Sequence, residues 1–134
     1  MQPIQVIEEI WSGSQRDERQ YDAAEPADII TVIERLNGKD RNLIVFDRND
    51  RSLTIGGGAN GQYVGNMAIG IDEAFYNLID PAKPADGIIK LVVGGQSSAY
   101  PAREVVDKPT VIAAALYFAE HGDRSPDLIW EEQA

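Results

Sequence analysis

The chain has 134 residues, 43% of them hydrophobic, which is enough for one domain with a core of its own. Its 22 acidic and 12 basic residues give a formal net charge of −10, which argues against the basic face that nucleic acids and anionic lipids require. The charge suits solubility, or a protein partner with a basic surface. The chain has no cysteine and a single histidine, so disulfides, thiolate nucleophiles and multi-histidine metal sites are excluded. We therefore expect no cofactor and no metal.

The beginning of the chain does not resemble a signal peptide, because residues 1–9 have neither a basic start nor a continuous apolar run. The longest apolar stretch, residues 111–119, is far too short to span a bilayer. We expect the protein to be cytoplasmic and not to bind membranes.

The first forty residues predict a strand, a loop and a helix. β-Branched residues from Ile4 onward favour a strand. Residues Ser12–Glu25 contain a glycine, several charges and few apolar side chains, which predicts a surface loop. Pro26 suits a first helical turn, and Asn37-Gly38 is a left-handed terminator. Between them, apolar residues recur at helical spacing, at Ile29, Val32, Ile33 and Leu36.

Residues 42–105 predict strands that follow one another without an intervening helix, which favours an antiparallel meander. The predicted strands are 43–46, 52–55, 62–71, 74–79, 87–93 and 98–105. The segment Gly87–Val93 is the most apolar of them, so we expect it at the centre of the sheet.

A second helix is predicted near the C-terminus, with Asp107 as its N-cap and His121-Gly122 at its end. The tail from Pro126 to Trp130 is apolar enough to pack on the core. The predicted fold class is α+β, with a single curved antiparallel β-sheet meander and one helix N-terminal and one helix C-terminal to it. We expect a single domain over residues 1–134.

The segment Gly56–Gly61 matches the dinucleotide-binding pattern G-x-G-x-x-G. A dinucleotide site also needs a helix directly after the glycines, with its N-terminus facing the pyrophosphate. A strand pattern begins at Gln62 instead. We therefore interpret the segment as a hairpin loop in which glycines permit positive φ.

Candidate catalytic groups are few. His121 could act as a general base beside neighbouring acids, but its place at a helix C-terminus is typical of a residue that interacts with the helix dipole. Adjacent acids such as Glu8-Glu9 and Glu131-Glu132 point to opposite faces of a strand, so neither doublet converges on one substrate. These residues predict solvated or structural roles.

From Leu53 onward the order of short segments becomes specific. The segments are LTIGGG at 53–58, IKLVVGGQSS at 89–98, YPARE at 100–104, the helix at 110–122, and Pro126-Asp127-Leu128 leading to Trp130-Glu131. In this order they resemble the first-numbered Imm family of immunity proteins from bacterial polymorphic toxin systems, over residues 29–131. The similarity is strongest over residues 87–130.

The resemblance implies an antitoxin, an α+β domain that binds the catalytic domain of a cognate secreted toxin and blocks its active site. The family looks associated with nucleic-acid deaminases, zinc enzymes that deaminate cytosine. The resemblance supplies no catalytic residues, and it implies that Gly57, Gly58, Gly94 and Gly95 are turn formers. An inhibitor that acts by occlusion needs no nucleophile, and an acidic one can fill a toxin's basic substrate groove.

We predict an immunity protein that is not an enzyme, and that binds the toxin through acids and tyrosines in the loops of the meander. The predicted partner-binding residues are Tyr63, Asp72, Glu73, Tyr76 and Asp80. Two alternatives remain open. One is a small enzyme or ligand-binding domain that uses the Gly56–Gly61 loop and nearby carboxylates. The other is a structural subunit that associates through its sheet edge.

Overall fold

The computed structural model describes residues 1–71 and 73–133. Its helices are α1 (Pro26–Glu34) and α2 (Lys108–His121), and short 3₁₀ turns cover Ala59–Gly61 and Ala102–Glu104. The strands are β1 (Ile4–Ser12), β2 (Gln15–Ala23), β3 (Leu43–Arg48), β4 (Arg51–Gly57), β5 (Tyr63–Ile69), β6 (Ala74–Leu78), β7 (Ile88–Val93), β8 (Gln96–Pro101) and β9 (Trp130–Glu132).

Seven of these strands form one antiparallel sheet in the order β2-β1-β3-β4-β5-β6-β9, and β7 pairs with β8 in a separate hairpin. The predicted α+β class is therefore confirmed as a mostly antiparallel sheet with two helices. The prediction of a single sheet is wrong, because β7 and β8 leave the main sheet. The helix placement is consistent in part: α1 precedes β3–β6 and α2 follows them, but the β1–β2 pair lies before α1 and β9 after α2.

The core lies between one face of the seven-stranded sheet and the two helices. Side chains alternate between the faces of a strand, so every second residue points toward the helices. This helix-side face presents buried residues that include Val6, Phe46, Leu53 and Met67. The opposite face, called the outer face below, presents the residues next to them in the sequence, which include Ile7, Val45, Thr54 and Ala68.

Both helices begin with recognisable capping residues, and α2 also ends with one, whereas α1 ends at Glu34, before the predicted terminator Asn37-Gly38. Pro26 occupies the first turn of α1, and the backbone N–H of Glu25 donates to the Asp28 carboxylate at 3.2 Å. In α2, the Asp107 carboxylate accepts from the Thr110 N–H at 3.0 Å, and Gly122 ends the helix at φ +69°. The helix boundaries predicted at Pro26, Asp107 and Gly122 are confirmed.

The segment Ser12–Glu25, predicted as a surface loop, instead contains strand β2. Its nine residues pair with the whole of β1, from Ile4↔Ala23 to Ser12↔Gln15. The prediction fails because β2 is an edge strand exposed on both sides along most of its length. Such a strand needs no apolar alternation, and charged side chains on an edge discourage pairing with other chains.

The segment Gly87–Val93, predicted at the centre of the sheet, forms strand β7 of the separate hairpin. It is apolar because it packs on the outer face, where Leu91 is buried with Val64 and Val105. Val93 covers Gly56 so closely that a Cβ on that glycine would lie 2.5 Å from Val93 Cγ1. A strand packed on another sheet and a central strand are both apolar, so composition alone could not separate them.

The C-terminal tail packs on the core, as predicted. Trp130 pairs with Leu78 in the β6–β9 ladder, and its indole N–H donates to the Ser125 carbonyl at 3.1 Å. Leu128 also packs against the core. Within residues 1–71 and 73–133, neither helix has the length and hydrophobicity needed to cross a membrane.

Candidate functional site

Two of the predicted partner-binding residues lie on the helix-side face. Tyr63 is 1% exposed, and its backbone N–H donates to the Val106 carbonyl at 2.9 Å. Its side chain therefore belongs to the core and offers a partner no surface. Tyr76 is half-buried on the same face, where the Arg124 guanidinium carbon lies 3.6 Å from its ring centroid.

The other predicted residues lie in connections. Glu73 is exposed in the turn between β5 and β6. Asp80 follows β6, and its carboxylate accepts from the Ala82 N–H at 3.0 Å. Asp72 lies outside the described residues. The structure therefore does not bring Tyr63, Tyr76 and Glu73 onto one surface.

The four glycines implied as turn formers all have positive φ. The values are +93° at Gly57, +113° at Gly58, +63° at Gly94 and +79° at Gly95. A Cβ at Gly58 would lie 2.6 Å from the backbone of Leu36, so this position also allows a close backbone approach. Strand β5 follows the glycine segment directly, which is not the strand-to-helix turn of a dinucleotide site.

A wide, open cleft lies at one end of the sheet, between the β3–β4 and β5–β6 turns. This turn cleft has a volume of about 750 Å³. A hydrogen bond of 2.7 Å from the Gly70 N–H to the Asp50 carbonyl joins the two turns. Positive φ at Asn49 and at Gly70 lets the backbone reverse direction in each of the two turns. The residues around the cleft include Gln5, Asp47, Asp50, Ser52, Ile71 and Glu73.

The turn cleft is acidic and has an apolar tip. Its carboxylates are Asp47, Asp50 and Glu73, and burial raises the pKa of Asp47. Arg51 also lines the cleft, but its guanidinium lies 2.8 Å from the Asp123 carboxylate. Ile71 is 93% exposed, more than any other large apolar residue in the described part of the chain. The cleft therefore combines negative charge with an apolar contact.

A second, smaller cavity lies between the outer face and the β7–β8 hairpin. This hairpin cavity has a volume of about 60 Å³, and its lining includes Asn66, Asn77, Val93, Tyr100 and Glu104. Burial, together with the negative charge of Glu131, raises the pKa of Glu104. Burial also raises the pKa of Tyr100. The cavity therefore holds a carboxylate in surroundings that disfavour its charged form.

Glu8 forms a buried ionic cluster on the helix-side face. Its carboxylate accepts from Arg35 at 2.8 Å and from the Tyr21 hydroxyl at 3.1 Å. Arg41 and Arg19 lie 3.5 and 3.9 Å away. Burial and the charge of Glu8 raise the pKa of Tyr21 to about 12. The cluster links β1, β2, α1 and the segment before β3, which explains how a polar edge strand is held in place.

The described residues contain no group of three or more His, Asp or Glu side chains placed to hold a metal ion. The surface features of this part of the chain are those of a protein that binds another macromolecule, with an open acidic cleft and an exposed apolar tip.

Comparison with known families agrees with a protein that binds another macromolecule. The family model described as Immunity protein Imm1 matches residues 17–132, which is most of the chain. The chain therefore belongs to the Imm1 family of immunity proteins, as the order of segments from Leu53 onward predicted. No curated protein and no solved structure matches the chain.

Several residues of these sites were not singled out from the sequence. Asp47 and Asp50 fall between the predicted strands 43–46 and 52–55, and Glu104 was included only in the family-like segment. One available signal was the register of the hairpins, which places Asp47 and Ser52 opposite each other on one face. Another was Ile71, an apolar residue in a polar turn. The contribution of Glu104 depends on how the hairpin folds back, which local pattern does not specify.

Proposed function

We propose that this immunity protein binds the catalytic domain of a secreted, nucleic-acid-directed cytidine deaminase and occludes its active site. The binding takes place in the cytoplasm of the producing cell. Membership of the Imm1 family supports the part of the proposal that concerns toxin immunity. The order of segments in the sequence supports the deaminase as target.

The observation that carries the occlusion step is the turn cleft. Asp47, Asp50 and Glu73 bring three carboxylates around an opening of about 750 Å³, and Ile71 projects beside them. An enzyme that acts on DNA or RNA needs a basic groove to hold the phosphate backbone. Carboxylates complement such a groove and speed its association with the inhibitor.

The alternative, a small enzyme or ligand-binding domain, requires a pocket beside the Gly56–Gly61 segment that is large enough for a small molecule. The cavity beside Gly56 has a volume of about 60 Å³. Sites for small molecules typically occupy about 300–1,000 Å³. The hairpin cavity therefore has room for the end of one side chain rather than for a substrate, and the geometry favours the inhibitor.

The decisive experiment is a titration of deaminase activity. The cognate toxin domain is incubated with a cytosine-containing single-stranded oligonucleotide and increasing amounts of the purified immunity protein. We expect activity to fall linearly to zero near one equivalent, and co-expression to restore growth of cells that produce the toxin. Undiminished deamination at a large molar excess would refute occlusion.

The predicted interface residues are tested by charge reversal. Glu73→Lys and Asp72→Lys are expected to slow association several-fold at low ionic strength, with the difference shrinking as salt screens the charges. Glu120→Lys, on the exposed side of α2, is the control for net charge. Tyr76→Phe and Asp80→Asn test the remaining predicted residues, and unchanged affinity would remove each from the interface.

A further inference from the structure

The two faces of the seven-stranded sheet differ in charge. Strand registers assign each described strand residue to one face. The helix-side face is balanced, with the acids Glu8, Asp17 and Glu132 and the bases Arg19, Arg48 and Arg51. The outer face carries one base, Arg16, and the acids Glu9, Glu18, Asp22, Asp47 and Glu131. An even distribution of acids along the sequence thus becomes an acidic face in the fold.

The one base on the outer face, Arg16, is paired with two acids and gives no region of that face a positive charge. Its guanidinium lies 3.1 Å from Glu9 and 3.2 Å from Glu18, at the end of the sheet near the β1–β2 turn. The two remaining strand rows that cross the outer face carry Asp22, Asp47 and Glu131 without a basic residue among the described positions. The row of Asp22 and Asp47 leads into the turn cleft, because Asp47 also lines that cleft.

The centre of the outer face is apolar. Ile7 and Val45 lie side by side in the β1–β3 register, and both are half-buried. Ala68 pairs with Phe75, which is 40% exposed. The β7–β8 hairpin packs over Gly56 and Val64 in a neighbouring row, and these four residues keep partial or full exposure. An apolar centre with polar groups around it is the typical anatomy of a protein interface.

The hairpin cavity opens at the boundary between the covered and uncovered parts of the outer face. Asn66 and Asn77 line it from paired positions on β5 and β6, and Glu131 follows in the same row on β9. Glu104 approaches from the hairpin side. The volume is about that of two water molecules, so the cavity can receive the head of one long side chain.

We propose that the outer face is the surface to which the toxin docks, that the toxin surface facing it is basic, and that one toxin Lys or Arg side chain enters the hairpin cavity beside Glu104. This inference rests on the proposed function, because it assigns a place and a chemistry to the same binding event. A bound ammonium or guanidinium group would form charge-assisted hydrogen bonds with Glu104 and with the amide oxygens of Asn66 and Asn77. A nucleic acid cannot be the occupant, because its phosphates would face the carboxylates.

Two matched pairs of charge reversals test the face. Asp22→Lys and Asp17→Lys change exposed residues of β2 on opposite faces, and Glu131→Lys and Glu132→Lys do the same on β9. All four variants change the net charge equally. With the cognate toxin domain as the partner, we expect Asp22→Lys and Glu131→Lys to weaken binding about tenfold or more. The variants on the helix-side face should show only a small, salt-sensitive loss.

The cavity is tested by Glu104→Gln, which keeps the shape and removes the charge. We expect dissociation from the toxin to accelerate at least tenfold, since truncating a buried charge pair acts mainly on the dissociation rate. Glu120→Gln on α2 is the control. Equal losses within both matched pairs, or larger losses on the helix-side face, would overturn the docking surface while leaving the inhibitor function intact. If the unaltered protein fails to bind the toxin, both the proposed function and this surface are refuted.

Discussion

The indole of Trp11 lies directly against the backbone of Gly95. A Cβ built on Gly95 would overlap the six-membered ring of Trp11, and this glycine also has a φ of +79°. The Gly95 N–H donates to the Asn42 side-chain oxygen at 3.0 Å. Trp11 and Asn42 thus hold the tip of the β7–β8 hairpin on the outer face.

We predict that Gly95→Ala destabilises the protein much more than Gly94→Ala. Both glycines are in the left-handed region, where an alanine costs about 1–2 kcal/mol. A Cβ at Gly94 meets nothing within 4 Å, whereas one at Gly95 meets Trp11. The clash adds about 1–3 kcal/mol, as overpacking typically does. Urea unfolding of the two variants measures the difference.

A double variant separates the clash from the backbone strain. In a Trp11→Ala background the indole is absent, so Gly95→Ala should cost no more than Gly94→Ala. The same penalty with and without Trp11 would show that the hairpin tip is not held by this contact.

The sequence was sufficient for elements whose signal is local. Capping at Asp107, the left-handed end at Gly122 and the apolar spacing from Ile29 predicted both helices correctly. Strand β2 was missed because its stability comes from pairing with β1 and from the Glu8 cluster, which involves residues far apart in the chain. The position of β7 was missed because its apolar residues face a sheet rather than neighbouring strands.

The candidate site was predictable only in part for the same reason. Glu73 was singled out and does line the turn cleft. The segregation of charge between the two faces depends on register, and a shift of one residue in any strand would exchange its faces. Tyr63 was predicted to bind the partner but is buried. The alternation of residues in its strand does not show which of the two faces is buried, because that depends on where the helices pack.

We predict that Glu8→Gln destabilises the protein by about 3 kcal/mol, because it leaves Arg19, Arg35 and Arg41 near one another without a carboxylate. Glu9→Gln is the matched control on the next residue. Glu9 pairs with Arg16, which is 44% exposed, so its loss should cost about 1 kcal/mol or less. Urea unfolding gives both values, and equal losses would mean that the Glu8 cluster is not what holds β2.

We predict that Ile71→Asn weakens toxin binding without changing the fold. Because Ile71 is 93% exposed, the free energy of unfolding should stay within about 0.5 kcal/mol of the parent. Losing an apolar contact at an interface should lower the affinity about tenfold. The control is Ile30→Asn, a partly exposed residue of α1 on the other side of the sheet from the outer face, which should bind normally. Calorimetric titration with the toxin domain checks both, and equal affinities for the two variants would contradict a contact at Ile71.

We predict that Glu104→Gln becomes stabilising relative to the parent as the pH rises from 4 to 7. Burial and the charge of Glu131 raise the folded-state pKa of Glu104 above its ordinary value of 4.5. The protonated form is therefore favoured in the folded state, and its contribution to stability is complete below the unfolded pKa and lost as the pH rises through the folded pKa. Glutamine keeps the neutral form at every pH, so its advantage should grow across this range.

Thermal unfolding of the parent, Glu104→Gln and the exposed control Glu120→Gln at pH 4 and pH 7 tests this prediction. The difference in Tm between Glu104→Gln and the parent should be larger at pH 7, and the control should show no such trend. An unchanged difference would mean that the hairpin cavity does not penalise the carboxylate. A variant that is more stable yet releases the toxin faster would show that Glu104 is retained for binding at the expense of stability.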